Sequence, residues 1–131
     1  MKTIPIREEQ DIVTCRRACR EAARELDFNL VDQTRITTAA SELARNIYEY
    51  AGEGEVVIEQ VDDEMKGTGL CLRFEDHGPG IENISQALGE GWSSHRGMGL
   101  GLPGSRRLMD DFSLKSVPGE GTKVTVVKWC R

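Results

Sequence analysis

The chain lacks any long apolar run. Nothing in it approaches the roughly 18 residues a membrane-spanning helix needs, and its start, MKTIPIREEQ, is neither an apolar signal segment nor a transit peptide. The sequence therefore predicts a cytoplasmic protein with no membrane partner. Paired cysteines are missing too, since Cys15, Cys19, Cys71 and Cys130 form no CxxC unit. Cys15 and Cys19 are four apart and share a helix face, but no histidine or second pair stands at ligand spacing. They read as small core thiols, and no metal site is assigned to them. Aromatic residues make up only 5%, and 17 basic residues stand against 22 acidic ones for a net charge of −5. With no basic stripe interleaved with aromatics, nucleic acid is not expected as a partner.

What is present suffices for one folded unit. A chain of 131 residues can bury a core of its own, and 1–131 is expected as a single domain. TIPI reads as a short strand. From Glu8 to about Leu26, the residues Ile12, Cys15, Cys19, Ala22, Ala23 and Leu26 recur at three- and four-residue spacings, which predicts an amphipathic helix. A second helix is expected from an N-cap at Asp32 through Ile36, Ala39, Ala40, Leu43 and Ile47 to a stop at Gly52. EVVIEQVDD (55–63) and GLCLRFED (69–76) read as a hairpin around EMKGTG. A helix from about Leu102 to Asp111 follows, with Arg106, Arg107, Asp110 and Asp111 as its charged surface, and SLKSV and TKVTVVKW close the chain as two strands around PGEGT. The order βαα-ββ-α-ββ packs most economically as a two-layer α/β sandwich, a mixed or antiparallel sheet with helices on one face.

Glycine is unevenly spread: eight of the 14 lie between 78 and 104. Gly99, Gly101 and Gly104 match the spacing GxGxxG, but the preceding LGEGWSSHR is polar and glycine-broken, and a dinucleotide fingerprint must follow a buried strand. No GK[ST] follows the glycines, so a P-loop is excluded. Glycines ahead of a helix can bring phosphate to the free N–H groups of its first turn, but several unrelated devices use that physics and the glycines alone do not choose among them.

Three stretches in order narrow the choice: SELARNIYEYA (41–51) on a helix, EDHGPGI (75–81) leaving a strand and RGMGLGL (96–102) opening a helix. They resemble the N, G1 and G2 boxes of the GHKL ATPase and kinase superfamily, and GEGTKVTV (119–126) resembles its terminal Gly-Thr element. Within the superfamily, SELARNI, DHGPGIENI, GMGLGLPGSRRLMDDF and the ending GTKVTVVKW are similar to the small anti-sigma serine kinases, above all their stressosome switch-kinase branch. The resemblance implies the GHKL ATP-binding fold, with ATP and Mg²⁺ as cofactors.

Residue chemistry agrees. Glu42 and Asn46 lie four apart on one helix face. Asn46 offers a neutral oxygen able to complete a Mg²⁺ shell beside nucleotide phosphates, while Glu42 can accept the proton of an attacking hydroxyl. Asp76 ends an apolar strand where a carboxylate can accept a hydrogen bond from the adenine amine, and Gly78 and Gly80 let the backbone pass close to the base. The resemblance implies that Gly97, Gly99 and Gly101 hinge a lid over the nucleotide and that Thr122 contributes from the last strand turn. Arg96 could reach the γ-phosphate, with His95 as its rival. No role is assigned to His77 or to Arg45. Trp92, within the glycine-rich segment, is a candidate partner contact.

The resemblance further implies an ATP-dependent serine/threonine kinase and partner-switching regulator. Its substrates would be STAS-domain antagonist or stressosome scaffold proteins, and on release it would activate a phosphatase through that enzyme's regulatory domain. The alternative is an anti-sigma factor that binds and sequesters a sigma factor directly.

Overall fold

The computed structural model describes residues 1–79 and 102–130, with nothing said of the Leu102 and Pro103 side chains. Elements follow in the order β1 (Lys2–Ile6), α1 (Glu9–Glu25), α2 (Leu30–Asn46), a π-helical turn (Ile47–Ala51), β2 (Gly54–Asp63), β3 (Gly67–Asp76), α3 (Leu102–Leu108), β4 (Asp111–Val117) and β5 (Gly121–Trp129). Among the described residues there is one five-stranded sheet, ordered β1-β2-β3-β5-β4, with every neighbouring pair antiparallel. The expected two-layer sandwich is realised, in its antiparallel form.

Helix α1 forms because its apolar residues recur on one stripe, and Ile12, Cys15, Ala18, Cys19 and Ala23 are the residues it buries. The Asp11 carboxylate accepts the N–H groups of Arg7 and Glu8 at 2.9 Å each, satisfying donors that the first turn leaves free. Those two bonds hold its carboxyl below the usual range. Helix α2 starts earlier than its sequence suggests. Asn29, not Asp32, is the N-cap: its Oδ1 accepts from the Asp32 N–H at 2.8 Å, so Asp32 lies inside the first turn. Small residues on α2, including Ala39, Ala40 and Ala44, are fully buried and let the helix lie close to its neighbours. The helical layer thus reaches the sheet without bulky spacers.

The register explains the core. On the face turned to the helices, Ile4, Val56, Phe74, Val124 and Leu114 form one row across all five strands, and Ile58, Leu72, Val126 and Phe112 form the next. Cys15 and Cys19 join this core. Both are buried and unpaired by disulfide, and the Cys19 thiol is pushed well above its ordinary range, first by its bond to Cys15 and then by burial. Helix α3 is shorter than expected. Arg106 and Arg107 are exposed on it, but Asp110 and Asp111 lie beyond its end and hold β5: the Trp129 N–H donates to Asp110 and its indole N–H to Asp111, each at 2.8 Å.

Candidate functional site

The apolar rows stop at one end of the inner sheet face. The next row is Ile6, Gly54, Asp76, Thr122 and Ser116, where strand pairing sets Gly54 opposite Asp76 and Thr122 opposite Ser116. Asp76 reaches this place because β3 alternates Leu72, Phe74, Asp76 on one face, so the pattern that buries the first two turns the carboxylate inward as well. Asp76 Oδ1 accepts the Gly78 N–H at 2.9 Å and the Thr122 N–H at 3.2 Å. A third bond, from the Gly119 N–H to the Pro79 carbonyl at 2.8 Å, ties the same two segments together. The β4–β5 turn therefore clasps the chain as it leaves β3.

Two glycines make this clasp possible. A Cβ at Gly121, where φ is +124°, would stand 2.2 Å from the Asp76 carbonyl oxygen. At Gly78 it would stand 2.6 Å from the Ala51 Cβ. A larger residue at Gly121 would push the β4–β5 turn off the end of β3, and one at Gly78 would push the chain after β3 off the π-helical turn. Ala51 itself is delivered by the π-helical turn, which closes with the Gly52 N–H on the Ile47 carbonyl at 2.9 Å. The helix expected to run to Gly52 instead widens after Asn46. That extra residue swings the end of the helix against Gly78.

Glu42 and Asn46 lie in the last two turns of α2, both half-buried and one helical turn apart. Glu42 opens onto a groove between α1 and α2 of about 600 Å³, lined also by Arg16, Arg17, Arg20 and Arg45 and by the hydroxyl residues Thr34, Thr37, Thr38 and Ser41. In a chain of net charge −5, this is a concentrated basic surface. The Asn46 amide oxygen is the hard, neutral donor a magnesium ion accepts when phosphates supply most of its shell. The carboxylate acceptor at Asp76 likewise fits a purine amine, which donates. The structure thus joins Asp76, Gly78 and Thr122 by direct bonds and sets Glu42 and Asn46 together on α2. The sites read at Gly80, Arg96, Gly97, Gly99 and Gly101, and the candidates His95 and Trp92, lie outside the described residues.

The sequence signature of the histidine kinase-, DNA gyrase B- and HSP90-like ATPases matches residues 31–130, from the start of α2 to the end of β5. The chain belongs to this family. It is 55% identical over 128 residues to the serine/threonine-protein kinase RsbT of Bacillus subtilis, an alignment covering 98% of this chain and 96% of that protein. Similarity to the anti-sigma F factor of Clostridium kluyveri is lower, 31% over 107 residues, covering 79% and 75% of the two chains. Among solved structures, the nucleotide-free catalytic domain of the histidine kinase ThkA superposes with a TM-score of 0.58 at 18% identity, covering 99% of this chain and 97% of that one. That likeness establishes the shared fold. Family membership makes the chain a user of ATP, and its similarity to RsbT over nearly the whole of both proteins makes it an enzyme of the serine/threonine-protein kinase type. Among the described residues no helix is long and apolar enough to cross a membrane.

Sequence reasoning missed Ser116. Its Oγ lies 3.0 Å from the Gly121 carbonyl and 2.9 Å from Thr122 Oγ1, inside the same row. Only the pairing of β4 with β5 reveals it, because a lone serine in an edge strand carries no signal.

Proposed function

We propose that the chain, working as one nucleotide-binding domain over 1–131, transfers the γ-phosphoryl group of ATP to a seryl or threonyl hydroxyl of a STAS-domain antagonist or stressosome scaffold protein. When released from that partner, it activates a phosphatase through the phosphatase's regulatory domain. The observation that carries this reading is the clasped row of Asp76, Gly78 and Thr122 at the end of the inner sheet face. In this reading Asp76, Gly78, Gly80 and Thr122 hold the base, while Gly97, Gly99 and Gly101 close over the phosphates. Asn46 gives its amide oxygen to Mg²⁺. ATP supplies the phosphoryl group and the metal neutralises phosphate charge. Glu42 takes the proton of the attacking hydroxyl as its oxygen bonds to phosphorus and the bond to the departing ADP breaks. Arg96 stabilises the charge that develops. A protein hydroxyl reaches Glu42 through the groove between α1 and α2, whose four arginines suit an acidic partner surface.

A second reading, an anti-sigma factor that sequesters a sigma factor directly, is favoured by the similarity to the Clostridium kluyveri protein. One experiment separates them. Transfer of labelled phosphate from ATP to STAS-domain proteins is measured for the wild type and Glu42→Gln, together with MgATP affinity. The expected result is unchanged affinity in the variant with transfer reduced by about 10²–10⁴-fold. Full transfer by Glu42→Gln would remove Glu42 as the base. Capture of a sigma factor, with no transfer by the wild type to any STAS protein, would establish the second reading.

A further inference from the structure

The Gly121 carbonyl gives the hydrogen bonds of the polar row a preferred direction. A carbonyl oxygen can only accept, so the one hydroxyl hydrogen of Ser116 goes to the Gly121 carbonyl, 3.0 Å away. With the Ser116 hydrogen on that carbonyl, the Ser116···Thr122 contact of 2.9 Å, which either hydroxyl can donate, is made with the hydrogen of Thr122. What Thr122 Oγ1 keeps is lone pairs. Its neighbour on β3, the Asp76 carboxylate, is also an acceptor, and Asp76 Oδ1 is already fixed by the N–H groups of Gly78 and Thr122. The acceptor of the relay cannot swing aside, because the backbone at Gly121 is pressed against the Asp76 carbonyl at a φ that other residues rarely adopt.

We propose that Ser116 is a positioning residue that sets the polarity of the base subsite, so that it selects a 6-aminopurine nucleotide over a 6-oxopurine one. By taking the Thr122 proton, Ser116 leaves two adjacent acceptors, the Asp76 carboxylate and the Thr122 hydroxyl oxygen. The inference rests on the reading that Asp76 and Thr122 hold the base. An exocyclic amine brings two hydrogens and satisfies two acceptors. A 6-oxo group brings only lone pairs, and the single hydrogen of that edge, on N1, can satisfy one acceptor at most, so one half-buried acceptor faces the oxo oxygen without a donor. Without Ser116, the Thr122 hydroxyl is free to rotate and donate to the oxo group.

The test is calorimetric binding of MgATP and MgITP, which differ at the 6-position and in the hydrogen on N1, to the wild type, Ser116→Ala, Ser116→Thr and Asp76→Asn. The wild type is expected to prefer ATP. Ser116→Ala should narrow that preference about five- to tenfold, the worth of one hydrogen bond, chiefly by a gain in ITP affinity, and Ser116→Thr should restore it. An unchanged preference in Ser116→Ala would overturn the proposal, as would equal weakening of both nucleotides, the mark of a merely structural serine. If Ser116→Ala does not fold, Thr122→Val carries the test, and a wild-type preference in that variant overturns the proposal. A wild type that shows no preference and an Asp76→Asn variant that binds ATP as well as it does would defeat the base-site reading itself. Loss of preference in Asp76→Asn, with full preference in Ser116→Ala, defeats the relay alone.

Discussion

Both ends of the inner sheet face carry polar side chains, and the two ends satisfy them differently. At one end Lys128, on β5 opposite Leu70, is only 10% exposed, and its ammonium lies 3.3 Å from Asp110 and 3.9 Å from Asp32 in the first turn of α2. At the other end Asp76 is held by two backbone N–H groups, and no basic side chain of the described residues is paired with it. A charge answered by opposite charges from its own chain is already complete and serves the fold. It ties β5, Asp110 in the link between α3 and β4, and the start of α2 into one corner. A carboxylate oriented by neutral N–H groups stays in place yet keeps its charge for something else. Position alone does not separate a structural polar group from a functional one, since both ends occupy equivalent places in the sheet. What separates them is the identity of the partner.

The comparison predicts opposite responses to substitution. The largest effect on stability is expected from Asp110→Ala, which leaves the Lys128 ammonium buried with Asp32 at the limit of ion-pair distance and removes the acceptor of the Trp129 N–H. Asp110 itself is exposed, so the loss is that of a largely buried ammonium and a backbone N–H left short of an acceptor, about 2 kcal/mol, measurable by urea unfolding, whereas MgATP affinity should stay within about twofold, a smaller shift than one hydrogen bond commonly makes. A large loss of affinity with little loss of stability would erase the distinction between the ends.

A smaller effect of the opposite sign is expected at Ser105 on α3. Its hydroxyl is buried, 1% exposed, and finds no partner among the described residues. Ser105→Ala removes a desolvated group that makes no bond and introduces the better helix former, so the protein should gain about 1 kcal/mol in the same unfolding assay. A loss of stability would mean that the hydroxyl is in use.

Much of this was legible in the sequence because it rests on short-range patterns. The period of three and four in α1 showed which face is buried, and the apolar run of β3 placed Asp76 at the end of a strand, while its inward turn emerges only from the register of the sheet. The box spacings pointed to the family before any contact was known. Other features depend on pairing between distant segments, which no local pattern records. The bond from Thr122 to Asp76 spans 46 positions and the one from Trp129 to Asp110 spans 19. Asn29 took the N-cap from Asp32 because two similar capping residues stand three apart, and propensity does not choose between them. The π-helical turn was hidden for another reason. An extra residue in a helix leaves apolar spacing almost unchanged over one turn, and its consequence, the close approach of Ala51 to Gly78, shows only in the tertiary structure.

The central claim, that the Asp76 end of the inner face receives the nucleotide, is tested most directly by following backbone amide resonances while MgATP is added. The account predicts the largest shifts at Gly78 and Thr122, the two amides that donate to Asp76. The Trp129 amide, held by Asp110 at the opposite end, should scarcely move. Shifts concentrated at Trp129 and Lys128, with Gly78 and Thr122 unmoved at saturating nucleotide, would contradict it.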